Sequence, residues 1–206
     1  MLKINIPYYP DSSIYFEKIR HYTWPIFLDS SYQSTMKKNK LVHYDILTAK
    51  PFIKIMLSND NEVAIHDLKK NTITISKKEP LKVLKSIMEK YKILENDLPF
   101  VGGALGYISY DTNTNSSKKN LIPRMQFGIY DWSIIIDHHK QIASLVTTQF
   151  IEDSSLFIKS LSKKFNKKGT SKKDFSIKGE ILENTNKREY KACLLYTSDA
   201  ADESVC

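Results

Sequence analysis

Short β-branched and aromatic runs, most of which follow one another with only a turn between them, constrain the fold of this chain most strongly. Two pairs of runs have the spacing of β-hairpins, with turns at Lys69-Lys70-Asn71 and His138-His139-Lys140. The runs predict strands at residues 25–30, 44–48, 51–57, 63–66, 72–75, 107–110, 132–137 and 141–147. Because strands outnumber helices and mostly follow one another, the sequence predicts an α+β fold with antiparallel sheet rather than a doubly wound α/β fold.

Three segments have the patterns of helices. A short helix is predicted from Tyr15 to Arg20, with the hydroxyl of Ser12 or Ser13 capping its first turn. Apolar spacing predicts further helices at residues 80–91 and 154–165. Residues 166–173, N-K-K-G-T-S-K-K, are interpreted as a solvated linker.

The composition is that of a globular chain. Its 206 residues are 41% hydrophobic and 11% aromatic, which is enough to form a buried core. No apolar run approaches the roughly 18 residues that a membrane helix needs, and Pro7 and Pro10 interrupt the first run too early for a signal peptide. The sequence therefore predicts a cytoplasmic protein with no membrane partner.

The positive charge of the chain comes almost entirely from lysine. The formal net charge is +8, from 31 basic and 23 acidic residues, and only Arg20, Arg124 and Arg188 are arginines. Nucleic-acid-binding proteins typically concentrate their charge and use arginine for bidentate contacts, whereas these lysines are spread along most of the chain. We therefore expect no nucleic-acid partner, and a lysine-rich nucleic-acid-binding module is kept as the alternative class.

The segment F-V-G-G-A-L-G, residues 100–106, superficially resembles a phosphate-binding loop. The dinucleotide fingerprint requires glycine where this chain has Val101, and a strand pattern rather than a helix follows at residues 107–110. The glycines are therefore interpreted as structural, because they allow close backbone packing or positive φ beside a sheet.

Two groups of ionisable residues could carry chemistry. Asp137, His138 and His139 are potential metal ligands, but neighbouring residues of a strand point to opposite faces, so a polar turn is favoured over a metal site. Asp111 and Asp131 could act as paired carboxylates in acid/base catalysis, but each borders an apolar strand, where turns and caps are common. No nucleophile with an adjacent base is found in the sequence.

Two long motifs resemble a known family. Residues 98–111, L-P-F-V-G-G-A-L-G-Y-I-S-Y-D, and residues 125–138, M-Q-F-G-I-Y-D-W-S-I-I-I-D-H, are similar in order and spacing to segments of aminodeoxychorismate synthase component I. Weaker resemblance extends from about residue 12 to residue 192. Anthranilate synthase component I shares this architecture and is the alternative branch. The motif residues interpreted as structural are Gly102, Gly103, Gly106, Tyr110, Asp111, Gly128, Tyr130, Asp131 and Trp132.

This resemblance implies a fold and an activity for the parent protein. Such enzymes aminate chorismate to 4-amino-4-deoxychorismate, the precursor of p-aminobenzoate for folate, with Mg²⁺ and with ammonia from a glutamine amidotransferase subunit. The implied fold is the antiparallel-sheet-rich N-terminal part of the anthranilate synthase component I fold, truncated before the chorismate-binding domain. Because the family's catalytic lysine and Mg²⁺ ligands lie in that domain, no catalytic or metal-binding residue is carried over. We expect the chain alone to be inactive and to aggregate.

One family site is expected to persist in part. Phe27-Leu28-Asp29-Ser30 resembles the leucine-leucine-x-serine stretch that lines a tryptophan pocket in the family, which makes Ser30 the candidate contact. An ordinary serine at the end of a strand is the alternative interpretation. The family pocket also includes residues from the C-terminal half.

The last 14 residues differ in composition from the rest of the chain. They contain both cysteines, Cys193 and Cys206, and no lysine. Residues 193–203, C-L-L-Y-T-S-D-A-A-D-E, resemble the translation of a transposon-end sequencing adapter, so we expect residues 193–206 to be an artefact. The expected organisation before them is an N-terminal domain at 1–165, a lysine-rich linker with a short strand at 166–183 and the start of the chorismate-binding domain at 184–192.

Overall fold

The computed structural model describes residues 1–31, 43–58, 62–93, 95–109, 122–166 and 186–202. These residues belong to two compact units, Met1–Gly169 and Thr170–Cys206. The described strands are β1 Leu2–Ile6, β2 Ile26–Leu28, β3 Tyr44–Thr48, β4 Ile53–Leu57, β5 Val63–Asp67, β6 Thr72–Ser76, β7 Gly103–Ile108, β8 Met125–Tyr130, β9 Trp132–Asp137 and β10 Ile142–Thr147. The described helices are α1 Ser13–Ile19, α2 Pro80–Met88, α3 Ser154–Asn166 and α4 Lys187–Asp202.

The first unit contains two five-stranded sheets. The first sheet has the order β1-β10-β9-β3-β2, and the second has the order β6-β5-β4-β8-β7. Every neighbouring pair in both sheets is antiparallel. The α+β class with antiparallel sheet is therefore confirmed. The chain passes from the second sheet to the first within one residue, Asp131, which separates β8 from β9.

The central strand β9 of the first sheet is covered on both of its faces. All six of its residues are buried. Ile134 and Ile136 belong to the hydrophobic cluster that includes helices α1 and α3, whereas Ile135 packs against Val101 in a separate cluster. Successive side chains of a strand point to opposite faces, so an unbroken apolar run is stable only where both faces are covered. A further cluster packs α2 against the second sheet.

The predicted elements agree with the structure in type and differ mainly in their ends. The strand at 44–48, the two hairpins and the helix starting at Ser154 are confirmed. The strands predicted from residues 25 and 51 begin later, at Ile26 and Ile53, and the helix predicted to residue 91 ends at Met88. The predicted linker at 166–173 lies outside the described residues apart from residue 166, which ends α3.

Two predictions need correction, and two strands were missed. The strand predicted from Tyr107 begins four residues earlier, at Gly103, because the glycines themselves pair with β8. Strands β1 and β8 were not predicted at all. The predicted hydroxyl cap of α1 is not formed, because the Asp11 carboxylate accepts from the backbone N–H of Ser13 instead.

The second unit is described only at residues 186–202, where α4 runs from Lys187 to Asp202. The Asn186 side chain accepts hydrogen bonds from the backbone N–H groups of Arg188 and Glu189, which is the pattern of an N-terminal helix cap. None of the helices in the described part of the chain combines the length and apolar content that crossing a bilayer requires.

Candidate ligand pocket beside Ser30 and Asp45

Ser30 and Asp45 meet at one end of the first sheet. The register of β2 and β3 pairs Leu28 with Ile46, which carries the chain after β2 towards the first residues of β3. The backbone N–H and the hydroxyl of Ser30 both donate to Asp45 Oδ1, at 2.8 and 2.7 Å. Asp45 as a whole residue is 3% exposed, so these hydrogen bonds stabilise a charge that burial alone would disfavour.

His138 completes this group from the end of β9. Its Nε2 lies 2.8 Å from Asp45 Oδ2, and both side chains are 5% exposed. Since a carboxylate accepts at Nε2, that nitrogen carries the proton, and Nδ1 accepts from the Tyr8 hydroxyl at 3.0 Å. The Ser12 hydroxyl lies 3.5 Å from Nε2. Residues from the ends of four elements, β1, α1, β3 and β9, thus converge on one buried polar network.

Two opposing effects set the pKa of Asp45. Burial pushes the pKa upwards, but hydrogen bonds from Ser12, from His138 and from the backbone and hydroxyl of Ser30 outweigh it. They hold the pKa of Asp45 below its ordinary value of 3.8. The carboxylate therefore stays charged at neutral pH although it is buried.

A cavity of about 340 Å³ opens beside this network. Its lining includes three carboxylates, Asp11, Asp29 and Asp45, together with the aromatic ring of Phe27 and the imidazole of His138. The Phe27 ring stacks on Phe16 at 5.6 Å, which fixes the aromatic wall. Ligand pockets usually measure about 300–1,000 Å³, so the cavity matches a small molecule. Its acidic lining favours a positively charged group, such as an ammonium.

The predicted contact residue Ser30 is not among the residues that line the cavity. Its neighbours Asp29 and Ser31 line the cavity, while the Ser30 hydroxyl is engaged with Asp45. Sequence reasoning missed Asp45 and His138 as parts of this group. The sequence pairs Tyr44-Asp45 and Asp137-His138 contain the polar residues concerned. The contact between Asp45 and His138 spans 93 residues, however, so no local pattern predicts it.

Asp137 is the last residue of β9, and His138 and His139 lie in the turn that follows, but His138 is only 7% exposed and therefore is not a solvated turn residue. Asp137 contacts His43 and Lys140, whereas His138 contacts Asp45, so the two side chains serve different partners. Among the residues that the structure describes, no group of three or more histidine, cysteine, aspartate or glutamate side chains could hold a metal ion.

Within the second motif, residues Gly128 to Trp132 contain the crossover between the two sheets. Asp131 is 2% exposed and accepts from Thr148 Oγ1 at 2.5 Å and from the backbone N–H of Phe150 at 2.7 Å. It also accepts from the hydroxyls of Thr147 and Ser154, so its carboxylate ties the end of β10 to the start of α3. Burial raises the pKa of Asp131, although the hydrogen bonds from these neighbours act to lower it. The neighbouring Tyr130 donates to the carbonyl of Trp24 at 2.9 Å.

The first motif packs the second sheet. Gly106 lies in β7 so close to β8 that a side chain there would collide with the carbonyl oxygen of Gln126. Gly102 has φ +151, and a Cβ there would lie 2.9 Å from the carbonyl oxygen of Tyr130. Gly103 is the first residue of β7. Trp132 is 3% exposed and belongs to the hydrophobic cluster that includes helices α1 and α3. The motif's Tyr110 and Asp111 lie outside the described residues, so their predicted roles stay predictions.

No protein-family model matches the chain. Aminodeoxychorismate synthase component 1 of Escherichia coli is 26% identical to it over 189 residues, which are 87% of this chain and 39% of that protein. The Salmonella typhimurium protein of the same name is 31% identical over 155 residues, which are 70% of this chain and 33% of that protein. The chain thus spans less than half the length of these two relatives.

Anthranilate synthases show a shorter match. Anthranilate synthase alpha subunit 1 of Arabidopsis thaliana is 28% identical over 139 residues, which are 59% of this chain and 23% of that protein. The crystal structure of anthranilate synthase component I from Streptococcus pneumoniae aligns with 59% of this chain and 28% of its own, with a TM-score of 0.48 and 22% identity. The chain is thus similar over most of its length to two aminodeoxychorismate synthase components and over a shorter part to an anthranilate synthase subunit.

Proposed function

We propose that this chain is the N-terminal part of an aminodeoxychorismate synthase component I. The parent enzyme replaces the ring hydroxyl of chorismate by an amine and gives 4-amino-4-deoxychorismate for p-aminobenzoate and folate synthesis. The observation that carries this proposal is the extent of sequence similarity. Two aminodeoxychorismate synthase components match 87% and 70% of the chain, whereas the anthranilate synthase subunit matches 59%.

The parent enzyme is proposed to be cytoplasmic and to receive ammonia from a glutamine amidotransferase subunit. The names of the relatives support a partner, because each is one component or subunit of a synthase. Mg²⁺ is proposed to assist the reaction by neutralising substrate charge. The described residues do not fit such a site, since no cluster of ligating side chains occurs among them. We assign Mg²⁺ to no residue of this chain.

The described residues are proposed to act as a scaffold rather than as catalysts. The motif aspartate Asp131 is buried, and its hydrogen bonds join the end of β10 to the start of α3. Among the described residues, the group most similar to a catalytic triad is Ser12, His138 and Asp45. It lacks the geometry of a nucleophile and its base, because the serine hydroxyl and the carboxylate both contact the same ring nitrogen, Nε2. The 206-residue chain alone is therefore expected to be inactive.

An assay of amination tests this proposal. The 206-residue chain and the product of the complete parent gene are each incubated with chorismate, ammonium and Mg²⁺, and 4-amino-4-deoxychorismate is measured by chromatography. We expect product from the complete protein and none above buffer from the chain. Formation of anthranilate instead, or no reaction of the complete protein with chorismate, would overturn the assignment.

The second candidate is anthranilate synthase component I, favoured by the similarity to the Arabidopsis subunit. The two candidates differ in a P-I-x-G-T segment of the C-terminal domain, where the resemblance implies lysine for the aminodeoxychorismate enzymes and alanine for anthranilate synthases. Sequencing the parent gene beyond the codon for Ala192 therefore separates them. The same experiment tests the proposal that residues 193–206 derive from an adapter, because the native codons would then differ from those of this chain.

The cavity beside Asp45 is proposed to bind tryptophan, as the resemblance at Ser30 implies. Its acidic lining supports an ammonium contact, and Phe27 offers an aromatic surface for the indole ring. Titration calorimetry with L-tryptophan is the test, with indole-3-propionate, which lacks the ammonium, as the matched ligand. We expect binding of tryptophan that Asp29→Asn weakens about tenfold. Equal binding of both ligands would contradict the ammonium contact.

A further inference from the structure

Strand β6 forms one edge of the second sheet. It pairs with β5, and no other described strand lies on its free side. Its sequence, T-I-T-I-S at residues 72–76, has high β propensity and contains no charge, proline or glycine. Its pairing with β5 runs without a bulge. Proteins usually protect an edge with a lysine, a proline or a bulge in the strand, and β6 contains none of these.

The backbone groups of Ile73 and Ile75 point away from the sheet. Alternate residues of an antiparallel strand direct their N–H and C=O groups to opposite neighbours. Leu68, directly after β5, donates its N–H to the carbonyl of Phe52 beside β4, so the even-numbered residues of β5 face β4. The odd-numbered residues of β5 therefore face β6, where they pair with Thr72, Thr74 and Ser76. The backbone donors and acceptors of Ile73 and Ile75 consequently face outwards.

The side chains of Ile73 and Ile75 are exposed as well, by 66% and 53%. They lie on one face of β6, opposite His66 and Ala64 of β5. A further strand at this edge would place its own side chains about 4.5–5.5 Å from theirs between Cβ atoms. The edge thus offers both main-chain hydrogen bonds and an apolar contact, which are the two components of binding by strand addition.

Four exposed lysines flank the strand, two at each end: Lys69, Lys70, Lys77 and Lys78. The neighbouring carboxylates are fewer. Glu79 pairs with Lys82 at 2.8 Å, and Glu62 lies 3.8 Å from the first lysine after the strand. Asp67 accepts from the backbone N–H groups of the two lysines before the strand. Residues 62–82 contain five lysines and these three carboxylates, so the ends of β6 favour an acidic partner.

A second copy of this chain fits the edge poorly. Two β6 strands overlap most fully in antiparallel pairing when Thr74 faces the same residue of the copy. This register places Lys70 opposite Lys78 at both ends of the pair. Like charges directly opposite each other destabilise strand pairing. The occupant that the charges favour is therefore a different chain.

We propose that β6 binds an extended segment of another protein, with β-branched residues at its centre and acidic residues at both ends. The segment adds one antiparallel strand to the five of the second sheet. Its central residues pair with Ile73 and Ile75, and its acidic ends lie beside the flanking lysines. This surface is independent of the proposed function, since it uses no residue of the Ser30 pocket and does not depend on which reaction the parent enzyme performs.

Fluorescence anisotropy with labelled peptides and the 206-residue chain tests the proposal. The probe is E-D-T-V-T-V-T-D-E, and the matched control K-K-T-V-T-V-T-K-K has the opposite charge. We expect saturable binding of the probe and at least about tenfold weaker binding of the control, because its ends repel the lysines.

Methylation of the peptide backbone tests the hydrogen bonds. Methylating the two valine nitrogens of the probe should abolish binding, because the valines pair with Ile73 and Ile75. Methylating the first two threonine nitrogens, which face away from β6, should leave binding unchanged. Equal effects of the two patterns would overturn the proposal, as would equal binding of the acidic and basic peptides.

Variants of the chain identify the edge. Proline is tolerated on an edge strand where the N–H faces solvent, so Ile75→Pro should keep the fold, which circular dichroism checks. We expect it to abolish binding of the probe, whereas Ile75→Val binds as the native chain does. Probe binding that Ile75→Pro leaves intact would contradict the assignment to β6.

The charge contacts are tested by a pair of lysine variants. Lys70→Gln combined with Lys78→Gln should weaken probe binding about three- to tenfold, since an exposed ion pair contributes little. Lys159→Gln combined with Lys163→Gln is the matched control, because these lysines are exposed on α3. Equal losses in the two pairs, or no saturable binding of the probe, would overturn the proposal. Sedimentation that shows self-association of the chain, abolished by Ile75→Pro, would overturn it in favour of a second copy.

Discussion

The two ends of the first sheet each contain a buried aspartate, and the comparison of the two carboxylates shows how neighbours decide what a buried charge does. Asp45 is 3% exposed and Asp131 is 2% exposed, so burial is nearly equal. Asp45 accepts from Ser30 and from the Nε2–H of the His138 imidazole. Among the described residues, Asp131 accepts from hydroxyl and backbone N–H donors and from no imidazole.

This difference gives the two groups opposite pKa shifts. Burial raises the pKa of Asp131, and its hydroxyl and backbone donors do not overcome that effect. At Asp45 burial acts in the same direction, but the hydrogen bonds from Ser12, His138 and Ser30 bring the pKa below 3.8. The polar end near Asp45 is thus suited to stay charged beside a cavity, whereas the Asp131 end is suited to join strands and a helix.

The largest expected effect is that of Asp131→Ala. It leaves the backbone N–H of Phe150 and the hydroxyl of Ser154 without their acceptor in a buried place. Each unsatisfied buried donor costs about 1–3 kcal/mol, so we expect a loss of roughly 3–5 kcal/mol in the free energy of unfolding. Urea unfolding at pH 7 measures it. A loss below about 1 kcal/mol would show that the crossover does not depend on this carboxylate.

A smaller loss is expected for Asp45→Asn. The amide oxygen can still accept from Ser30, but the amide group must replace a carboxylate at His138. Charge-assisted hydrogen bonds contribute about 1.5–3 kcal/mol, so we expect a loss of roughly 2 kcal/mol at pH 7. Urea unfolding measures this value too, and a stabilised variant would contradict the proposed balance of burial and hydrogen bonding.

Much of the fold could be predicted from the sequence because its strands have local signatures. The β9–β10 hairpin has apolar runs on either side of a short polar turn, and α3 has a clear helical spacing. Strand β1 was missed because it is short, precedes two prolines and pairs with β10, more than 130 residues away. Strand β8 was missed because its apolar run contains a glycine and continues almost directly into β9.

The candidate pocket could be predicted only in part, because most of its residues are distant from one another in the sequence. The resemblance at Phe27 to Ser30 located one edge of it. The partners Asp45 and His138 come from strands that are distant in sequence, and the hydrogen bond from Tyr8 spans 130 residues. Such a group depends on sheet order, which periodicity does not report.

The packing of the second sheet can be tested at Gly106. Gly106→Ala places a methyl group against the carbonyl oxygen of Gln126, so β7 must move away from β8. Overpacking of this kind typically costs about 1–3 kcal/mol. We expect a loss in this range by thermal or urea unfolding, with Ala104→Gly in the same strand as a control for side-chain removal. An unchanged stability of Gly106→Ala would show that β7 pairs differently.

The smallest effect is expected for Tyr8→Phe. It removes the hydroxyl that donates to His138 Nδ1 and keeps the aromatic ring beside the imidazole. A typical hydrogen bond contributes about 0.5–1.5 kcal/mol, so the loss should lie in that range. We expect the double variant Tyr8→Phe, Asp45→Asn to lose less than the sum of the two single losses, because both residues contact His138. Additive losses would indicate that the network is not coupled.

The most direct test of the contrast between Asp45 and Asp131 is the pH dependence of unfolding for Asp45→Asn and Asp131→Asn. A lowered pKa stabilises the fold above 3.8, and this contribution is lost as the pH falls through the folded-state pKa of Asp45. A raised pKa has the opposite sign: its contribution is present below 3.8 and is lost as the pH rises through the folded-state pKa of Asp131. Relative to the native chain, the loss caused by Asp45→Asn should therefore shrink between pH 7 and pH 3, while that caused by Asp131→Asn should grow. Losses that change in the same direction for both variants would contradict the account.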